Sequence, residues 1–486
     1  MKHRKAMWGA GKAVLFALAF LLAFNGVSFV LRGKGAIHFL YPFDQQPKDT
    51  IDVVFAGSSH VLNAVFPMQL WQEQGITSYN IAQKAQPMPL TYFTVKDAID
   101  RQHPNLVVLD VYYMFYGGEG AYDPKWGGYM HQTFDDLRLS INKVRGILEV
   151  IRPEDREEMF VPLMLYHSRW KDLQKEDFQP VTDYYKGAEP YFGKTPYGGF
   201  TILAEDQTMD IPAMQLEYLE KTIDLCRESG TKLLLINLPY HTDETTEYRQ
   251  RLGNKVAEVA TKKDVPYLNF FHMLDQVPID FDTDMRDEGH LNPQGAAKMT
   301  AFLGQYIADH YHLADRRDDP AYVSWKDDYE TYQLVKTADE LKTIKDLPAY
   351  LDMLAKGDFV VAFAVRATPG EAMTPALQAK LADLGVTRNL ADGTVTNYLA
   401  VLDGGSAVVE KAGVDIEKKL SATTVVDGTQ FKLTSGRSEA LIRVAGQSLS
   451  RNGTSLNFVV WDKLSNEVVD SVRFNCHDAD YYCARK

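Results

Sequence analysis

A serine hydroxyl is a useful nucleophile at neutral pH only when a base can take its proton and a carboxylate orients that base. Three residues of this chain have the types and the setting for that division of labour. Ser59 lies in Gly57-Ser58-Ser59-His60, directly after the apolar run at residues 52–56 (DVVFA). His290 lies in Asp287-Glu288-Gly289-His290-Leu291-Asn292-Pro293, with Asp287 three residues before it. That spacing lets the carboxylate reach the imidazole nitrogen that faces away from Ser59. Asn292 as N-cap and Pro293 at the first helical position predict a final helix. Its apolar side carries Ala296, Met299, Phe302, Leu303 and Ile307, so the dyad sits in a loop held by a packed helix. Gly-Ser-Ser alone is a common turn, and Asp-x-x-His alone is common too. A serine after the first strand combined with Asp-x-x-His before the last helix is the informative pattern.

The elements that must position these groups read as α/β. Residues 52–56, 105–111, 232–238 and 266–270 are short apolar strands. They alternate with amphipathic helices, which implies a parallel sheet covered on both faces. The helix before residue 232 ends at Gly230 and places Cys226 on a stripe with Leu216, Leu219 and Ile223, a core position. A serine at the carboxyl edge of such a sheet is exposed, with backbone N–H groups nearby for an oxyanion. Residues 112–210 form a long insertion. It contains one helix with Leu137, Ile141, Val144, Leu148 and Ile151 on one face. It is also rich in aromatics: Tyr112, Tyr113, Phe115, Tyr116, Trp126, Tyr129, Trp170, Tyr184, Tyr185, Tyr191 and Phe192. These suit either a platform for sugar rings or an ordinary hydrophobic subdomain. Within the insertion, His167, Arg169 and Trp170 group a base, a cation and an aromatic. They fit an acceptor sugar or a carboxylate, and equally a structural helix end.

The chain has 486 residues, 45% hydrophobic and 24% charged, enough for two or three globular domains. A formal net charge of -13 excludes the broad basic footprint of nucleic-acid binding. Lys2, Arg4, Lys5 and Lys12 precede an apolar run at residues 13–31, long enough to cross a ~30 Å hydrocarbon core. Residues 1–34 are expected to be a cytoplasmic tail and transmembrane anchor, with everything after Arg32 outside. A cleavable signal peptide is the rival reading, but its apolar region is usually shorter, about 7–15 residues. Cys476 and Cys483 either pair or stay free. No metal site and no cofactor is suggested. Residues 315–336 read as a linker, opening with the charged stretch DRRDDPAYVSWKDD. A second domain at 337–486 is expected to be α+β or mainly β. Its strands fall at 358–365, 397–402, 440–444, 457–461 and 468–474, and Thr374, Pro375 and Gly385 bracket a helix.

Four stretches, FAGSSHV, SYNIAQKAQPMP, NLVVLDVYY and DEGHLNPQGAAKM, resemble the SGNH (GDSL-like) hydrolase superfamily. The nearest look is to members that acylate or deacylate bacterial surface polymers, including alginate acetyltransferases and the D-alanyl-lipoteichoic acid protein. The resemblance implies a flavodoxin-like three-layer α/β/α domain over residues 35–314. It also implies Ser59 as nucleophile, His290 as base and Asp287 as its orienter, with backbone N–H groups of Ser59 and Ala85 as oxyanion donors. The signature aspartate is Ser58 here, and the second-block glycine is Ala85. The third-block asparagine is replaced by Asp110, which donates only when protonated. His60 reads as a further donor or as a solvated turn histidine. From about Thr337 onward, KGDFVVAFAVRATPGEAMTPALQAKLADLG, LTSGRSEALIRVAGQ and LSRNGTSLNFVVWDKLSNEVVDSVRFN resemble the interleukin-like EMT inducer domain. That resemblance implies a carbohydrate-binding module. Together they imply an O-acetyltransferase acting on a cell-surface or secreted polysaccharide, working with a membrane-bound O-acyltransferase as donor partner. A carbohydrate esterase with the same triad and a non-catalytic surface glycan-binding protein are the alternatives.

Overall fold

The computed structural model describes residues 2–32, 40–115, 127–179, 181–198 and 201–486. The chain forms two compact units, residues 1–329 and 330–486.

The first unit is built on β1 (Val53–Ala56), β2 (Ser78–Asn80), β3 (Leu106–Asp110), β4 (Lys232–Asn237) and β5 (Tyr267–Asn269). All pairings are parallel, in the order β2-β1-β3-β4-β5. This is the flavodoxin-like doubly wound order, whose switch point lies between β1 and β3. A parallel sheet buries both faces, and every residue of β1 and β3 is buried. On one face Val53, Phe55, Leu106, Val108, Leu234 and Ile236 share a cluster with Met299, Leu303 and Ile307 of the helix Pro293–Tyr311. The alternate side chains Val54, Val107 and Leu235 are equally buried. Strand β2 was not expected. It is three residues long, and Ser78 and Asn80 give it no apolar run. Insertion residues run beside it, Lys186 O accepting from Asn80 N at 3.0 Å.

Cys226 is buried, and burial pushes its thiol up to about 12. The insertion helix Ile141–Val150 differs from expectation. Its buried residues are Asn142, Gly146, Ile147 and Val150, while Ile141 is 76% exposed and Leu148 is half exposed. The cause is Gly146: a Cβ there would stand 2.7 Å from the Phe134 ring. Close approach on the small side of the helix decides its rotation, against the larger stripe. Residues 315–328, read as linker, pack on the first unit. Arg316 donates to both oxygens of Asp52 at 3.0 Å, Lys186 pairs with Asp328, and Trp325 is buried beside Trp71. At the N-terminus a helix runs Lys2–Leu31, and Gly11–Leu31 is long and apolar enough to cross a membrane.

The second unit is antiparallel. A six-stranded sheet centres on Phe359–Arg366, between Ser455–Asp462 and Asn397–Asp403. A four-stranded sheet carries Leu420–Val426, Thr429–Ser435 and Ala440–Val444. The central strand alternates with period two. Phe359, Val361, Phe363 and Val365 face a cluster shared with Tyr350 and Leu381 of two helices. Val360, Ala362 and Ala364 face Phe431, Leu433 and Ile442 of the other sheet. Thr374 caps the helix Pro375–Asp383 by accepting from Leu377 N, and Gly385 follows at φ +104°. Cys476 and Cys483 are free thiols here.

Candidate active site

Strand β1 ends at Ala56, and Gly57 turns the chain at φ +145° before the short helix Ser59–Ala64. Only glycine fits this turn: a Cβ would lie 3.0 Å from Val61 and 3.1 Å from the Asp110 Cβ. The turn therefore presses against the end of β3 at the carboxyl edge of the sheet. Ser59 stands at that edge beside the switch point, where doubly wound sheets place their ligands.

The opposing loop is closed by its own backbone. Arg286 N donates to His290 O at 2.9 Å, Asn292 N donates to Asp284 O at 2.8 Å, and Met285 bridges Leu291. Asn292 caps the following helix, accepting from Gln294 N and Gly295 N at 3.1 Å. Asp287 and His290 are thus presented from a braced loop. Ser59 Oγ lies 2.8 Å from His290 Nε2, and His290 Nδ1 lies 2.7 Å from Asp287 Oδ1. The same Asp287 oxygen accepts from the backbone N–H groups of Gly289 and His290 at 3.0 Å. Burial opposes ionisation of Asp287. The imidazole and the two backbone donors outweigh it, and the carboxyl is held below its usual range. The arrangement relays the serine proton to a fixed imidazole whose positive form the carboxylate stabilises.

Ala85 follows β2 in a left-handed conformation, φ +50°, which costs a non-glycine residue about 1 kcal/mol. This explains why a glycine suits the position. Gln86 Nε2 donates to Gly57 O at 3.3 Å, tying the Ala85 turn to the nucleophile turn. Asp110 is buried beneath Gly57. Its Oδ1 accepts from Leu238 N at 3.2 Å, and its Oδ2 has no partner among the described residues. Burial pushes its pKa up to about 7, against backbone donors at Leu238, Tyr112 and Val111. At mildly acid pH, Asp110 is therefore a neutral acid able to donate.

His60 is no solvated turn residue: it is 2% exposed. Its ring stacks on Tyr112 at 3.3 Å, meets Tyr240 edge-on at 5.8 Å and lies 5.3 Å from the His290 ring. Neither ring nitrogen has a partner among the described residues. Burial, then the charge of His290, then Arg249 hold its pKa well below normal. A neutral His60 spares the forming His290 cation a second positive charge.

The sequence reading missed Tyr240 and Arg249. Arg249 Nη1 donates to the Tyr112 hydroxyl at 2.7 Å. Tyr240 sits three residues past β4, so its place at the carboxyl edge was the available signal. Of the insertion aromatics, Tyr112 stacks on His60, and Tyr191 lies edge-on 5.7 Å from the His290 ring. Tyr116 and Trp126 lie outside the described residues. His167, Arg169 and Trp170 are placed elsewhere. His167 is exposed and bonds Met164 O, Arg169 bonds Leu31 O and Asp177, and Trp170 is 64% exposed. None of the three bonds to Ser59, His290 or Asp287.

No protein-family model and no curated protein matches the chain. Three solved structures are similar at low levels. A protein from Bacteroides fragilis assigned as an acylhydrolase has 11% identity and a TM-score of 0.28, covering 56% of this chain and 95% of that one. A protein of the G-D-S-L family from Desulfitobacterium hafniense has 12% identity and a TM-score of 0.27, covering 52% and 97%. A GDSL-like lipase from Bacteroides thetaiotaomicron has 11% identity and a TM-score of 0.27, covering 53% and 87%.

Proposed function

We propose that this chain is a serine acyl-transfer enzyme of the SGNH type that works through an acyl-enzyme. The observation that carries the reading is the unbroken relay Ser59 Oγ–His290 Nε2–Asp287 Oδ1, at 2.8 and 2.7 Å. His290 takes the Ser59 proton as Oγ attacks an ester carbonyl. The oxyanion of the tetrahedral intermediate is received by backbone N–H groups of Ser59 and Ala85. His290 then returns the proton to the departing alkoxide, leaving an ester on Ser59. An acceptor hydroxyl, deprotonated by His290, collects the acyl group and frees the serine.

The acceptor we favour is a sugar hydroxyl of a cell-surface or secreted polysaccharide, with acetyl as the acyl group. Tyr191, exposed beside His290, supports it, because sugar rings have apolar faces that pack on aromatic rings. A membrane-bound O-acyltransferase is the proposed donor partner, Gly11–Leu31 the proposed anchor, and the second unit a proposed carbohydrate-binding module. With water as acceptor the same site is an esterase. The test incubates the full chain with a small acetyl ester, with and without oligosaccharides, following acetate release and intact mass. The expected result is an acetyl adduct absent from Ser59→Ala, and acetylated sugar formed at the expense of acetate. No adduct and no turnover in a folded protein would leave only the glycan-binding reading.

A further inference from the structure

The N-terminal helix is covered at one end only. Residues 11–23 are exposed, whereas Ser28 and Leu31 in its last turn are buried. The covering comes from the insertion, whose short helices Leu163–Tyr166, His167–Lys171 and Lys175–Phe178 contact this helix. The attachment is specific. Arg169 donates to the carbonyls of Leu31 and Arg32, and Arg32 donates to Asp135 O.

These short helices, with Arg156–Phe160 just before them, expose large apolar side chains. Phe160, Met164, Leu165, Trp170 and Phe178 are between 42% and 66% exposed. Apolar patches of this kind mark an interaction surface. The attachment point identifies what covers it. Gly11–Leu31 has 21 residues, and a span of that length reaches about 31 Å, one hydrocarbon thickness. Leu31 then stands at the membrane boundary, and so does every element fastened to Leu31 and Arg32. Trp170 carries Lys171 Nζ 5.7 Å from its ring centre, the pairing of an amphipathic aromatic and a cation that favours the headgroup level.

We propose that residues 156–178 form a membrane-interface platform, whose apolar side chains enter the lipid leaflet where the N-terminal span ends. This rests on the reading of Gly11–Leu31 as a membrane span. The platform holds the first unit at the bilayer by a second contact, independent of the span itself.

The experiment uses the full chain in nanodiscs of phosphatidylcholine alone, with Cys483→Ser as background, since Cys226 and Cys476 are buried. Single cysteines at positions 164, 170 and 178 carry an environment-sensitive fluorophore. Position 16 reports the span, and position 425, exposed in the second unit, reports water. All are exposed sites, and 160 and 165 replace any labelled chain that melts early. Labels at 164, 170 and 178 are expected to lose about half their emission to a shallow lipid-borne spin label, as groups ~5–10 Å into the boundary do, and to resist iodide. Position 425 is expected to do the reverse. Quenching of 164, 170 and 178 by iodide, with 16 quenched by deep spin-labelled lipid, would overturn the platform and leave the span. Iodide quenching at 16 would overturn both. Shielding from iodide without quenching by lipid would mean a protein covers the patch, and would also overturn the proposal.

Discussion

Two buried aspartates, one in each unit, are held in different ways. Asp470, in the strand Glu467–Phe474, accepts from Arg485 Nε at 3.0 Å and from the Tyr350 hydroxyl at 3.2 Å. Burial raises its pKa, and Arg485 and Tyr350 oppose the rise. Asp110, at the end of β3, has only backbone donors, and one of its oxygens has no partner among the described residues. Ser58 Oγ and both nitrogens of His60 share that condition. A buried polar group with partners fixes a fold. Buried polar groups without partners, beside the relay, call for an explanation other than stability.

The largest expected effect separates chemistry from stability in the first unit. Ser59→Ala should lower turnover of an acetyl ester by about 10⁴-fold, while the melting midpoint stays put. A midpoint drop that explains the lost activity would break the contrast. The mirror experiment lies in the second unit, where Phe363 stacks on Phe458 at 4.5 Å. Phe363→Ala should cost about 3–5 kcal/mol in that unit's denaturant unfolding, with acyl-enzyme formation at Ser59 unchanged.

The aspartates themselves give the sharpest pair. Above about pH 4 the unfolded chain has released the Asp110 proton that the folded chain keeps to about pH 7. Stability therefore falls as pH rises through that window, by ~1.4 kcal/mol per unit, at most about 4 kcal/mol. Asp110→Asn should remove this loss, raising stability at pH 8 and changing little at pH 4. Asp470→Ala should do the opposite, costing about 1–3 kcal/mol at either pH by leaving Arg485 Nε and the buried Tyr350 hydroxyl without their acceptor. Equal destabilisation by both at pH 8 would end the comparison. Ala85→Gly is the smallest effect, a gain of up to about 1 kcal/mol from relieved left-handed strain, read as a shifted urea midpoint.

How much the sequence discloses follows the physics of each part. Strands β1, β3 and β4 are near-continuous apolar runs because parallel strands are buried on both sides. The relay is legible because each half has a local signature: a serine after a strand, and a capped helix after Asp-x-x-His. The strands Ser406–Gly413, Leu420–Val426 and Thr429–Ser435 escaped notice because polar residues interrupt their few apolar ones, leaving no long apolar run. Their turns were the better clue. Gly404-Gly405 and Asp427-Gly428 both take positive φ, as two-residue hairpin turns require. Tyr240, Arg249 and the buried state of His60 depend on long-range packing that no local pattern encodes.

The relay joins residues 231 positions apart in the chain, and Arg316 clasps Asp52 across 264. At a synthesis rate of 5–20 residues per second, about 10–50 s separate the appearance of Ser59 from that of His290. Throughout that interval the serine hydroxyl has no imidazole beside it. Strand β1 also stays unclasped until the residues once read as a linker have emerged. The order of synthesis thus leaves the relay open until most of the first unit has been made, and β1 unclasped until nearly all of it has.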